Sequence, residues 1–309
     1  MTKLMSKCLS GGLVCLAMLM LVGCIEESVV VKVKRDGSGV VHVRSYQQKT
    51  TIGFSIGSAK QESSSEKDAN EGVPAEEKLQ AMAESLGKGV RVESVEAKTN
   101  PQGWKGFEVV FAFDDVNELV LSDKLFGLGR QSKDDAENTD GTEADSSKPG
   151  PREALSFTEG TRFQLQGDRL LISRDWDHQL QANANKQPQQ ATKDPFAEEP
   201  KSPGVVSITG SQMEKFMSEV LKDARMGLFV ELESGIGETN ARFHNEDQVT
   251  LFKIEIGPLL EQKQSVDKLS RLSQRYRGAE LRSETQKLID QINGLDVDIK
   301  DQISVQFAK

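Results

Sequence analysis

Val29, Val31 and Val33 alternate with Val30, Lys32 and Lys34, and Val41 and Val43 resume the period of two after Asp36-Gly37-Ser38-Gly39. Successive strand side chains point to opposite faces, so this spacing predicts a β-hairpin over Ser28–Tyr46 around a turn that tolerates positive φ. Leu79, Met82, Ala83 and Leu86 then fall at helical spacing, with Pro74 before them and Gly87 after. That pattern predicts a helix over Ala75–Leu86. Strands are expected near Gly89–Ala97 and Gly106–Phe113, with Asn100-Pro101-Gln102-Gly103 turning between them. Phe107, Val109, Phe111 and Phe113 share one face of the second strand. Asp114 or Asp115 is expected to cap a short helix running to about Leu125.

A second hairpin reads as Thr161–Gln166, a Gly167-Asp168 turn, and Arg169–Arg174. Thr209 with Gln212 makes a capping box, and Met213, Phe216, Met217, Val220 and Leu221 form the apolar stripe of a helix over Thr209–Leu221. Strands follow at Met226–Leu232, Glu238–Phe243 and Gln248–Ile256. Leu259–Ile292 reads as mostly helical, broken at Arg277-Gly278, with Leu281, Leu288, Ile292 and Leu295 along one seam. A last strand runs through Ile303–Phe307.

Three stretches carry no such periodicity. Ala59–Gly72 is rich in Ser, Glu and Lys and reads as a solvated loop. Gly129–Pro151 carries six acidic residues between Asp134 and Asp145 and no large apolar one, and Gln179–Pro203 is rich in Gln and Pro. Neither can bury enough surface to offset the entropy of ordering it, so both are expected to be disordered inserts. Two units are expected around the acidic insert of residues 129–153: one α+β unit over 28–128, and a second over 154–309 carrying the polar insert 179–203 and the C-terminal helices. The fold class is α+β, a mainly antiparallel sheet with helices on one face.

The start of the chain has a different character. Lys3 and Lys7 precede an apolar run, Gly11–Gly23, of 13 residues. A membrane-spanning helix needs roughly 20, so the run fits a cleaved secretory signal rather than a span. It ends in Leu21-Val22-Gly23-Cys24, which resembles the lipobox of bacterial lipoproteins. The resemblance implies cleavage after residue 23, lipid on the Cys24 thiol, export, and anchoring to a bacterial membrane. Cys8 and Cys15 lack a small residue at the corresponding cut. Ile25 follows the lipid-bearing cysteine where lipoproteins kept in an inner membrane commonly carry Asp, which implies the outer membrane in a cell that has two. Residues 24–27 would form a tether of about 10–14 Å at roughly 3.5 Å per residue. The valine-rich strand and Asp-Gly-Ser-Gly turn after Cys24 also resemble envelope lipoproteins of the LppM type. No site residue follows from that resemblance.

Losing Cys8 and Cys15 with the signal, and capping Cys24 with lipid, leaves no thiol and no disulfide. The remaining 286 of the 309 residues are long enough to hold a core without one. The formal net charge is −9, and removal of Lys3 and Lys7 takes it to −11. Such a chain is a poor partner for nucleic acid, whose binding is driven by phosphate neutralisation, or for anionic lipid through its protein surface.

Chemistry-bearing residues are scattered. Asp175-Trp176-Asp177-His178 is the one carboxylate–histidine cluster, and it supplies too few ligands for a metal; it reads as the solvated end of the second hairpin. His42 shares the polar face of its strand with Lys32 and Lys34, and His244 lies in a turn. Asp114-Asp115 reads as a helix cap, and Gly235-Ile236-Gly237 as a tight turn. The acidic insert fails calcium-loop spacing, since alignment on Gly141 puts Ala136 at the first ligand. Lys268, Arg271, Arg275 and Arg282 form the main basic concentration. No catalytic, cofactor or metal residue is assigned; Cys24 is the single expected modification site. The reading is a non-enzymatic envelope lipoprotein, a binding or scaffold module that is held to the membrane through Cys24 and contacts an envelope protein. The alternative is a carrier or sensor of a small apolar ligand in a sheet–helix pocket.

Overall fold

The computed structural model describes residues 25–48, 73–128, 158, 160–176, 219, 221–276 and 278–309. Cys24, the inserts 129–153 and 179–203, and all but Glu219 and Leu221 of the expected helix over Thr209–Leu221 lie outside them. Among the described residues the strands and α-helices number fifteen. They are β1 (Ile25–Val33), β2 (Gly39–Gln47), α1 (Glu76–Leu86), β3 (Arg91–Thr99), β4 (Lys105–Phe113), β5 (Arg162–Gln166), β6 (Arg169–Ser173) and β7 (Arg225–Leu232). Then come β8 (Ile236–Thr239), β9 (Gln248–Glu255), α2 (Ile256–Glu261), α3 (Lys263–Arg275), α4 (Gly278–Ile289), β10 (Leu295–Val297) and β11 (Gln302–Phe307).

The α+β class holds. Seven strands form one sheet in the order β10-β9-β7-β1-β2-β4-β3, and four form a second in the order β5-β6-β11-β8. Every neighbouring pair is antiparallel except β1 with β7, which run parallel from Glu26↔Arg225 to Val33↔Leu232. Strands from either side of residues 129–153 therefore pair within one sheet.

The alternation of valines decides which face is inside. Val29, Val31, Val33, Val41 and Val43 are buried, and so are Phe107, Val109, Phe111 and Phe113 of β4. Branched and aromatic side chains pack well on a pleated surface, and here they meet Leu170 and Ile172 of β6 and Ile303, Val305 and Phe307 of β11 in a single core. Leu79, Met82, Ala83 and Leu86 of α1 and Ile289 of α4 join the same core.

The β1–β2 turn closes through Asp36, whose carboxylate accepts the Ser38 N–H at 2.9 Å and the Ser38 hydroxyl at 2.7 Å. Gly37 takes φ 87°, a conformation costly for any residue with a Cβ.

Four expectations need correction. β1 starts at Ile25, not Ser28, with Ile25 and Glu27 buried, so the three residues after Cys24 are strand rather than tether. The region after Asp115 is not a helix to Leu125 but two single 3-10 turns, Val116–Glu118 and Asp123–Leu125. Leu119, Leu121, Leu125 and Leu128 are all buried; Leu119 and Leu121, two apart, would point to opposite sides of a helix at about 100° per residue, so one continuous helix could not bury all four. The C-terminal helical stretch breaks at Gln262 as well as near Gly278, and Leu295 begins the short strand β10 rather than extending the helix seam. The expected strand over Glu238–Phe243 is shorter and earlier, as β8.

One edge of each sheet, β3 and β5, carries features that discourage further pairing. β3 carries charged side chains and a register shift between Val92 and Ser94. β5 is covered by Asn117, whose side-chain oxygen accepts the Leu165 N–H at 2.8 Å, and by a bridge from Val120 to Arg162. Charges, bulges and caps are common devices against edge-to-edge association.

Candidate functional site

With the valines and phenylalanines of β1, β2 and β4 turned inward, period two sends Glu26, His42, Arg44, Tyr46 and Glu108 to the other face of the seven-stranded sheet. The described helices direct their apolar residues into the shared core and leave this outer face to strand side chains.

Glu108 stands at its centre. Arg44 on β2 lies directly opposite it in the register, and Glu96 on β3 does so from the other side. Arg44 Nε donates to Glu108 Oε1 at 3.0 Å, His42 Nδ1 lies 3.0 Å from the same oxygen, and Lys98 Nζ donates to Oε2. Lys98 also reaches Glu96 at 3.1 Å. Only 9% of the Glu108 side chain is exposed. Burial by itself would raise the carboxyl pKa, but hydrogen bonds from Lys98, His42 and Arg44 outweigh it and hold the group at about 2. The result is a carboxylate fixed in charge and position, with the cations around it fixed in turn.

Beside this group, Tyr46 and Trp104 pack against each other as a small apolar cluster separate from the main core. The loop carrying Trp104 is shaped by Asn100, whose side-chain oxygen accepts the Gln102 N–H at 3.1 Å and the Trp104 N–H at 2.8 Å. Asn100 Nδ2 donates to Glu26 Oε2 at 2.8 Å, and Arg225 Nη2 donates to Glu26 Oε1 at 2.8 Å. Glu26 thus ties the Trp104 loop to β1 and β7. A cleft of about 400 Å³ opens at this end of the sheet, lined by Glu26, Trp104, Lys222, Asp223, Arg225 and Glu255 among others. Its lining mixes five charged side chains with Trp104, Ala224 and Pro258, whereas a pocket for apolar ligands is lined predominantly by apolar side chains.

The residues singled out in the sequence are not brought together. Trp176 is buried, with the Arg174 guanidinium stacked 4.4 Å from its ring centre, while Asp175 is exposed; Asp177 and His178 lie outside the described residues. Among the described residues no group of three His, Cys, Asp or Glu could hold a metal ion. Asp115 caps its 3-10 turn by accepting the Asn117 N–H at 2.9 Å, and Asp114 pairs with Arg91 at 2.9 Å. His244 is exposed next to the β9 bridge, and Gly235 sits in the turn between β7 and β8 at φ 80°. Arg282 pairs with Asp301, whereas Lys268 and Arg271 are exposed on α3.

The cluster that sequence reasoning missed is the one around Glu108. Its signal was available in part, since polar residues at alternate positions of β2 and β4 mark a common face. The partner across the strands depends on register, which a single strand does not encode.

Neither a protein-family model nor a curated protein matches the chain. Among solved structures, the folded domain of LppM from Mycobacterium tuberculosis, determined by NMR, aligns over 76% of this chain and 84% of that one, at 11% identity and a TM-score of 0.29. A likeness of that size carries no argument about function.

Proposed function

We propose that this protein is an exported lipoprotein, acylated at Cys24, whose folded domain is a non-enzymatic binding or scaffold module of the bacterial envelope. The membrane holds it through lipid, and an envelope protein is its partner. The observation that carries the binding role is the outer face of the seven-stranded sheet. On that face the row His42–Arg44–Glu108–Lys98 presents charges whose positions are already set. Groups that need no reordering on association keep more of their interaction energy. The start of β1 at Ile25 supports the anchor, because the strand follows the lipidation position directly. Ile25 after Cys24 supports the outer membrane in a two-membrane cell.

Two measurements test this reading. Mass spectrometry of membrane-extracted protein should find a diacylglyceryl Cys24 as the first residue; an intact Met1 or a free Cys24 thiol ends the lipoprotein reading. A photoreactive amino acid in place of Val40 or Val110, both on the outer face, should crosslink to a discrete envelope protein. The same probe in place of the exposed Glu238 should not. Equal labelling from all three positions, or none, ends the binding-face reading.

A further inference from the structure

The expected lipidation position lies at one end of the seven-stranded sheet. Ile25 pairs with Gln47, which pairs with Lys105, and Glu26 pairs with Arg225, which pairs with Glu255. Cys24 therefore adjoins the end formed by the starts of β1, β4 and β7 and the finish of β9. Lys98, Lys105, Lys222 and Arg225 are exposed there, beside the carboxylates of Glu26, Asp223 and Glu255; Lys98 pairs with Glu108, Lys222 with Glu219 and Arg225 with Glu26. The opposite end gathers exposed Asp36, Asp114, Asp115, Glu233, Glu246 and Asp247 together with exposed Lys34, Arg35 and Arg91, the last paired with Asp114. Both ends therefore mix cations with carboxylates, and it is position along β1 rather than charge that sets apart the end beside Cys24.

We propose that the end of the sheet carrying Lys105, Lys222 and the Asn100–Trp104 loop lies directly on the headgroup surface of the bilayer that holds Cys24, with the strands standing upright. This rests on the lipoprotein reading above. The occupant is a lipid surface because no chain intervenes: β1 begins at Ile25 with that residue buried, so a lipid on Cys24 sits one residue from the folded edge. A longer linker would let the domain tumble; a strand that starts at the acyl group cannot swing away without unpairing from β2 and β7. β1 is nine residues long, which puts the Asp36 turn about 30 Å from the headgroups at roughly 3.3 Å per residue. The outer sheet face then stands perpendicular to the membrane and open to a partner approaching from the side.

The test uses the full mature lipidated protein. Once Cys24 is acylated on sulfur the chain has no other thiol, so a single introduced cysteine takes a fluorophore uniquely. Lys105→Cys and Gln102→Cys report the lipid-proximal end, and Glu233→Cys the distal end; all three positions are exposed. Each labelled protein is placed in vesicles of phosphatidylethanolamine and phosphatidylglycerol doped with headgroup-nitroxide lipid. We expect strong loss of fluorescence at 105 and 102 and none at 233. Equal quenching at the three positions, or quenching at 233 alone, overturns the upright placement while leaving the lipoprotein reading intact, provided that mass spectrometry shows acylated Cys24 in the same sample. An unacylated Cys24 overturns both.

Discussion

Arg44 and Glu108 occupy directly opposed positions on β2 and β4, and Arg44 Nε donates to Glu108 Oε1 at 3.0 Å. The two partners are not equivalent. Arg44 has 42% of its side chain exposed, and Glu108 has 9%. Removing Arg44 leaves a carboxylate still held by His42 and Lys98, whereas removing Glu108 leaves three basic side chains facing one another.

Glu108→Ala is therefore expected to cost about 2–3 kcal/mol, below the roughly 3–5 kcal/mol of a fully buried broken pair because water reaches the rim of the cluster. Arg44→Ala is expected to cost under about 1 kcal/mol, as exposed ion pairs do. Urea denaturation of both variants at neutral pH measures the difference. Equal losses would mean that the cluster is not organised around the carboxylate.

The same carboxylate carries an acid dependence. Its folded pKa of about 2 lies below the ordinary value of 4.5, so the unfolded chain binds a proton more readily. The stabilisation is fully present above pH 4.5 and is lost as pH falls toward 2, a contribution on the order of 3 kcal/mol. Glu108→Gln should lose this part of the acid limb. The stability gap between the wild type and this variant should narrow from pH 6 to pH 3; a constant gap would refute the assignment.

Phe111 is fully buried on the core face of β4. Phe111→Ala is expected to cost about 3–5 kcal/mol through lost transfer energy and the cavity left behind. A near-neutral result in equilibrium denaturation would place the core elsewhere.

Arg174 is buried over the Trp176 ring, and its Nη1 donates to the Leu251 carbonyl at 3.3 Å. Burial lowers its pKa to about 10, against the opposing pull of Asp298 and Asp123. A planar guanidinium stacks and donates in ways that an ammonium cannot, so Arg174→Lys should cost more than about 1 kcal/mol. Trp176 emission in this variant, read in a Trp104→Phe background, should shift; an unchanged spectrum and stability would remove the stacking role.

Gly39 begins β2 where a Cβ would stand 2.0 Å from the Lys32 carbonyl oxygen and 2.6 Å from the Phe113 ring. The backbone neighbour cannot give way without breaking the β1–β2 ladder. Gly39→Ala should cost at least the roughly 1–3 kcal/mol typical of overpacking, checked by thermal denaturation.

Much of the architecture was written locally. The alternation of Val29, Val31 and Val33, the Asp36–Gly37 turn, the stripe from Leu79 to Leu86 and the shared face of Phe107 to Phe113 each depend on neighbours within a few residues. A period of two or of 3.6 states which side of an element is apolar, and burying that side is the main driving force of folding. The anchor expectation at Cys24 is local in the same sense, a run of apolar residues ending at one cysteine. What only the tertiary structure decided is which elements meet. β1 pairs in parallel with β7, bringing together Glu26 and Arg225, 199 positions apart. Glu108 finds Arg44 and Lys98 through strand register, and β10, three residues long, exists because β9 offers it a free edge. A long-range pair is favoured when the whole core closes around it, and that closure depends on every face at once rather than on the spacing within any one segment.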